Sequence, residues 1–230
     1  MVFAAGLGTR LGVLTADCPK ALVEIDGQPL LGLVLRRLGA TGFSQVIVNV
    51  HHHADQVETW LAQNDCGVEV AISRESELLD TGGGLKKVAR FFDDEEHFLV
   101  HNVDVLSDID LAGLMRTHIA SGALASLAVM KRKASRYLMV DEGNTICGRR
   151  RGEDGDVDLR REPFCDPEPM GFCGIQVLSR AIFSRLPAVS KYSITDAYLD
   201  LAETGADILA IRVDGAKWRD CGRPEDLRAL

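Results

Sequence analysis

A short apolar strand that opens directly into glycines narrows the choice of fold more than anything else in this chain. Met1–Ala5 is apolar throughout, and Gly6, Gly8 and Gly12 follow, with Thr9 and Arg10 between them. Glycine lets a backbone turn sharply and come close to a bound group, so that successive N–H groups can converge on an anion. Arg10 offers a planar fork to phosphate oxygens. Lys20, in the Pro19-Lys20 pair beyond the turn, offers a point charge. A strand, a glycine loop and two cations are the parts needed to hold a nucleoside triphosphate.

Two familiar phosphate loops do not fit. A dinucleotide fingerprint requires G-x-G-x-x-G, and its third glycine position is Leu11. A Walker A loop, G-x-x-x-x-G-K-[ST], occurs nowhere in the chain. The net charge of −8 argues against a nucleic-acid polymer as partner. A nucleotide needs only a local cationic pocket. There is no apolar run long enough to span a membrane and no basic region ahead of the apolar N-terminus, so neither a membrane span nor a secretory leader is expected. The six cysteines form no C-x-x-C and are read as free thiols in a reducing cytoplasm.

Along the chain, strand and helix patterns alternate. Helical spacing or capping marks Leu30–Ala40, Ala54–Gln63, Gly83–Phe92 and Asp110–Ala120. β-branched or apolar runs mark strands at Gln45–Val50, Val68–Ser73, Phe98–Asn102 and Leu124–Met130. The stretch 148–169 is polar and rich in Asp, Arg, Pro and Gly, and reads as a loop or irregular hairpin, a possible lid. Beyond it, Phe172–Leu178 and Ile208–Val213 read as strands. Ser179–Leu186, Ile194–Glu203 and Pro224–Leu230 read as helices. Repeated strand–helix units imply an α/β fold with a mostly parallel sheet covered by helices on both faces. Ligands in such sheets bind beyond the carboxyl ends of the strands. The glycine loop and Asp104, just past Phe98–Asn102, both belong at such an end, where Asp104 is well placed to hold a magnesium ion over a triphosphate.

The stretch Ala4-Ala5-Gly6-Leu7-Gly8-Thr9-Arg10-Leu11-Gly12-Val13-Leu14-Thr15, followed by Pro19-Lys20-Ala21-Leu22, resembles the signature of the sugar-1-phosphate nucleotidyltransferases, the nucleotide-sugar pyrophosphorylases. Their pattern is A-A-G-x-G-T-R-[LM]-x-P-L-T, then P-K-x-L. Val13 stands where the family has proline. The resemblance runs from Ala4 to about Leu227. It implies one Rossmann-like nucleotidyltransferase domain over 1–230 without a C-terminal β-helix. It also implies the reaction NTP + sugar 1-phosphate → NDP-sugar + diphosphate, with magnesium as cofactor.

Carried over residue by residue, the resemblance assigns Ala4, Ala5, Gly6, Gly8, Thr9 and Asn102 to the nucleotide, and Arg10 and Lys20 to charge neutralisation during transfer. Asp104 in His101-Asn102-Val103-Asp104 and Asp220 in Trp218-Arg219-Asp220-Cys221-Gly222 match the two metal-binding aspartates. Glu77-Leu78-Leu79-Asp80-Thr81-Gly82-Gly83-Gly84 matches the segment that reads the base. There Glu77 would accept from the base edge, and Thr81, Gly82 and Gly83 would meet its rim. The triple glycine is closer to the N-acetylmuramate-1-phosphate uridylyltransferase branch than to the mannose-1-phosphate guanylyltransferase branch, so UTP or GTP is expected. On the sugar side, Glu162, Phe172 and Gly174 fall in the matching segments.

His51-His52-His53 point in different directions and make a poor metal site, though a place on the pocket floor suits them. The expected partners are a nucleoside triphosphate and a sugar 1-phosphate, in a cytoplasmic monomer or small homo-oligomer. Two other readings remain: a cytidylyltransferase for a phosphoalcohol such as phosphocholine, and a non-catalytic nucleotide-sugar sensor.

Overall fold

A computed structural model describes residues 1–227. In chain order its elements are β1 (Val2–Phe3), β2 (Glu24–Ile25), β3 (Gln28–Pro29), α1 (Leu30–Ala40), β4 (Gln45–Val50), α2 (Ala54–Gln63), β5 (Glu69–Arg74) and α3 (Asp80–Lys87). Then come β6 (His97–Asn102), β7 (Val105–Ser107), α4 (Leu111–Ser121), β8 (Ala125–Met130), β9 (Arg136–Val140), β10 (Ile146–Arg151) and β11 (Val157–Leu159). The last are β12 (Glu168–Ser179), α5 (Ile194–Glu203), β13 (Ile208–Arg212) and β14 (Trp218–Asp220).

Local sequence explains most of these. In α1 the buried Leu30, Leu31, Val34, Leu35 and Leu38 repeat at helical spacing and form one stripe. The helix stops at Thr41-Gly42, where Gly42 takes a positive φ of 102°. β4 is buried on both faces after Gln45, as a central parallel strand must be. At the start of α4 the Asp110 carboxylate accepts from the Gly113 N–H at 2.8 Å, which satisfies one orphan donor of the first turn.

The main sheet runs β5-β4-β1-β6-β12, after which β12 pairs with both β8 and β9. β13 extends it beyond β8, and β10 and β11 extend it beyond β9. Among the described residues, all its strands except β12 and β10 point one way, so the sheet is mixed but mostly parallel. One core cluster packs α1, α2 and α4 on one face, and a second packs α3 and α5 on the other. The register sets Phe3 level with both Asn49 and Asn102. The carboxyl ends of β4, β1 and β6 therefore lie abreast, with the glycine loop leaving from the middle one.

The structure corrects several elements. The stretch 148–169, expected as a loop or irregular hairpin, is built largely from strands. It contains a regular hairpin, β10 against β11, and the start of β12. Part of its polar character comes from hairpin arginines paired with acids. Arg149 pairs with Asp158 at 3.1 Å and with Asp196 of α5, and Arg160 pairs with Asp158 at 2.9 Å and Asp200 at 3.6 Å. β9 went unread because its apolar residues follow a basic, Ser-containing turn. The helix expected over Gly83–Phe92 begins earlier, at Asp80, and gives way at Val88 to a 3-10 turn over Ala89–Phe92. Ser179–Leu186 is likewise only a 3-10 turn over Arg180–Ser184. The last expected helix is seen as a 3-10 turn over Pro224–Leu227, and its remainder lies outside the described residues.

Two histidines make the fold acid-sensitive. His101 and His118 are buried, and burial, which disfavours the imidazolium, lowers each from the ordinary 6.5 to about 4. Below pH 6.5 the unfolded chain takes up these protons and the folded chain does not. The stabilisation is therefore complete above about 6.5 and is lost as the pH falls towards 4, at up to about 3 kcal/mol per histidine. The urea midpoint should fall between pH 7 and pH 4.5, and His118→Gln should fall less steeply. Equal slopes for the two proteins would contradict this account.

Candidate active site

A cleft of about 320 Å³ opens at the carboxyl ends of β1, β4 and β6. It is lined by Phe3, Ala4, Ala5, Gly6, Lys20, Asn49, Leu78, Asp80, Thr81, Asn102, Val103 and Asp104. The glycine loop forms one wall. Its conformation is set by Leu11, a buried plug in the core, and by Gly8, whose φ of 66° is left-handed. The Thr15 hydroxyl donates to the Gly8 carbonyl at 2.9 Å. Thr9 and Arg10 are thereby left exposed on the outer side of the loop.

The charged groups gather at one rim. Lys20, at the start of a 3-10 turn over Lys20–Leu22, is ion-paired to Asp104, and the two side chains are only 12% and 13% exposed. Arg10 is half exposed and reaches both Asp104, at 3.8 Å, and Asp220, at 3.6 Å. Asp220 arrives through the antiparallel β7–β14 ribbon, in which it sits opposite Val105. The Cys221 N–H donates to the Asp104 carbonyl at 2.7 Å and locks that register. At Gly222 a Cβ would collide with the Arg10 guanidinium, so the last glycine of the C-terminal motif keeps that space open.

Two carboxylates from separate elements thus flank one guanidinium. An all-oxygen pair beside a cleft fits magnesium, which takes one or two protein carboxylates and fills its octahedron with phosphate oxygens and water. Asp104 and Asp220 could hold such an ion between them. No cluster of three or more His, Cys, Asp or Glu suited to a metal occurs among the described residues.

The base-side segment differs from the sequence expectation. Thr81 lines the cleft, and its hydroxyl accepts from the Ile194 N–H at 2.9 Å. Glu77 is exposed and does not line the cleft, although its neighbour Leu78 does. The glycines at 82, 83 and 84 lie inside α3 and are buried against protein. A Cβ on Gly82 would collide with the Tyr192 ring, and one on Gly83 with the Ser190 carbonyl. On Gly84 it would lie 2.7 Å from Glu75 Oε1 and 2.8 Å from Asn49 Nδ2. Close packing of the chain on itself accounts for all three.

The sugar-side residues are divided. Gly174 adopts a φ of 72° where the β12 register shifts, and a Cβ there would lie 2.8 Å from Asn102 Nδ2. It brings β12 against Asn102 at the cleft. Phe172 is half-buried, and its carbonyl accepts from Arg132 at 2.6 Å. Glu162 is not brought to this end of the sheet. It is exposed beside Arg161, which donates to the Ala206 carbonyl just before the amino end of β13. Its place in the sequence is near Phe172, but the β10–β11 hairpin carries it away.

The sequence reading missed Asn49 and Glu75, which are 3% exposed each. The Ala4 N–H donates to Asn49 Oδ1 at 2.9 Å. Asn49 Nδ2 donates to Glu75 Oε1 at 2.7 Å, and Glu75 Oε2 accepts from the Leu79 N–H at 3.0 Å. A polar residue inside an otherwise apolar central strand, Asn49 in Gln45–Val50, was the available signal. The histidine triplet has a related task. His51 Nδ1 lies 2.9 Å from the Glu75 carbonyl, and His53 Nε2 lies 3.1 Å from the Ala16 carbonyl, tying the glycine-loop end to α2.

The nucleotidyl transferase family model matches residues 1–150. The chain belongs to that family. The N-acetylmuramate alpha-1-phosphate uridylyltransferase of Neisseria meningitidis serogroup B is 37% identical over 197 residues, covering 83% of this chain and 79% of that protein. The UTP–glucose-1-phosphate uridylyltransferase of Synechocystis is 28% identical over 243 residues, covering 98% of this chain and 60% of that protein. This chain therefore spans less than two thirds of that relative's length. Among solved structures, HddC from Yersinia pseudotuberculosis superposes with a TM-score of 0.78 at 24% identity, covering 98% of this chain and 94% of that one. That likeness establishes the shared fold. No helix among the described residues is long and apolar enough to cross a membrane.

Proposed function

We propose that this nucleotidyl transferase moves a nucleoside monophosphate from a nucleoside triphosphate to a sugar 1-phosphate and releases diphosphate. The observation that carries the reading is the rim array of Lys20, Asp104, Arg10 and Asp220 beside the glycine loop. The two relatives add the substrate class, since both are named as uridylyltransferases acting on sugar 1-phosphates. UTP is accordingly the first donor to test, with GTP next.

The chemistry needs no protein nucleophile. A phosphate oxygen of the sugar attacks the α-phosphorus, the bond from that phosphorus to the bridging oxygen breaks, and the electron pair leaves with diphosphate. The protein's share is positioning and charge neutralisation. The backbone of Ala4, Ala5 and Gly6 follows the triphosphate along the cleft wall. Lys20 sits where two anionic partners must approach one another and offsets their repulsion. Arg10, on the exposed side of the loop, takes up charge on the departing diphosphate. Asp104 and Asp220 would hold a magnesium ion, which when bound supplies positive charge to the phosphate oxygens. All six cysteines are unpaired, which supports a reducing, cytoplasmic setting.

The test is diphosphate release across ATP, CTP, GTP, UTP and dTTP with a panel of sugar 1-phosphates, in magnesium and then in EDTA. The expected result is strong release with UTP or GTP and one sugar 1-phosphate, abolished by EDTA. Nucleotide binding without release for any acceptor would overturn the reading in favour of a sensor. Release only with CTP and a phosphoalcohol would overturn the sugar assignment.

A further inference from the structure

We infer that Asn49 and Glu75 are positioning residues that set the spacing between the two nucleotide-facing walls of the cleft. The inference rests on the proposed function, because it assigns the cleft to a nucleotide. One wall is the strand end and glycine loop, entered through Ala4. The other is the Leu78–Thr81 segment, entered through Leu79. No strand pairing joins them directly. The Ala4–Asn49–Glu75–Leu79 chain of hydrogen bonds does, through bonds of 2.9, 2.7 and 3.0 Å.

The donor and acceptor roles leave no slack. Asn49 accepts with its oxygen and donates with its amide, while Glu75 accepts on both oxygens. Both side chains are buried, so water cannot replace a lost partner cheaply. Gly84 completes the arrangement, since the space a Cβ would need is filled by Glu75 Oε1 and Asn49 Nδ2. Of the rim groups, Lys20 hangs from the turn after the loop, Asp104 from the end of β6 and Asp220 from β14, while Arg10 belongs to the loop wall itself. A defect in the Asn49–Glu75 pair should therefore register in nucleotide binding before it registers at the acceptor.

The experiment is a swap of roles in the full chain, assayed with whichever of UTP and GTP the wild type uses better. Glu75→Gln turns an amide donor towards either Asn49 Nδ2 or the Leu79 N–H, both of which are donors. Asn49→Asp sets two carboxylates face to face. In the double variant N49D/E75Q, the carboxylate now at position 49 accepts from the Ala4 N–H and from the amide now at position 75. The amide oxygen at position 75 accepts from the Leu79 N–H. Every bond of the chain is thus restored, with the central one reversed in direction. Each single variant should raise the nucleotide KM about tenfold and leave the acceptor KM within about twofold. The double variant should return the nucleotide KM to within about threefold of wild type.

If the singles fail to fold, the double alone decides: a folded double with near-normal nucleotide KM supports the inference, and a double that also unfolds overturns it. Singles with unchanged KM, or with both KM values raised together, overturn it as well. Absence of nucleotide binding by the wild type would instead sink the proposed function itself, which keeps the two failures apart.

Discussion

Lys20→Ala should lower turnover by about 10²–10³-fold, the usual cost of deleting one preorganised charge at a transferring phosphate. The reason lies in its surroundings. Lys20 is nearly buried and ion-paired to Asp104, so its charge acts where little water screens it. Arg10 carries the same formal charge but is 52% exposed, and it reaches its carboxylates at 3.6 and 3.8 Å. Arg10→Ala should therefore cost less than Lys20→Ala, nearer the lower end of that range. Steady-state turnover with saturating nucleotide and acceptor provides the check. Activity within about threefold of wild type for Lys20→Ala would remove it from the mechanism.

Gly83→Ala should destabilise the fold by about 3 kcal/mol or more, the upper range for forcing a group into a packed interior. The added Cβ would collide with the Ser190 carbonyl, which is backbone and cannot rotate aside as a side chain can. Yielding would mean moving the 187–193 segment, which the Gly82 N–H bond to the Tyr192 carbonyl also fixes. Gly6→Ala provides the contrast. Among the described residues, no atom outside Gly6 and its chain neighbours lies within 4 Å of a Cβ there, and Gly6 lines the cleft. That variant should keep its stability to within about 0.5 kcal/mol and lose nucleotide affinity. Urea denaturation of both proteins, with nucleotide titration of the second, separates them. A Gly83→Ala protein as stable as wild type would show that α3 is not clamped where it meets Ser190.

The two glycine clusters look alike in the sequence and differ in what fills their space. Gly6 has open space where a Cβ would stand and Gly8 takes a left-handed φ in the loop, whereas those at 82, 83 and 84 let a helix press against Tyr192, Ser190 and the Asn49–Glu75 pair. Periodicity cannot separate these cases, because a missing Cβ records that something is close without recording what. Glu77 and Glu75 show a similar ambiguity. Both are acidic and two residues apart, yet Glu77 faces solvent and Glu75 is buried. Their spacing places them on one face of an extended chain, so only the turn after β5 tells them apart.

α3 buries the consecutive residues 82–85 and its bounds shifted, whereas α1, α2 and α4 were legible because each buries a single stripe, and a stripe repeats in the sequence whatever it packs against. The same holds for the strand-to-glycine-loop signature and for its two cations. Short ribbons carry no such mark. β7 and β14 have three residues each and form a two-stranded sheet with one another. Their pairing puts Asp220 opposite Val105, next to Asp104.

Local pattern and side-chain chemistry were therefore enough for the α/β class and the glycine loop, both of which are written in short stretches of chain. Three outcomes needed the folded molecule: Asp104 and Asp220 share Arg10, Glu162 lies away from the cleft, and Asn49 and Glu75 join its walls. Each depends on which strand ends meet, and that is settled by long-range pairing and burial that no local stretch of sequence contains.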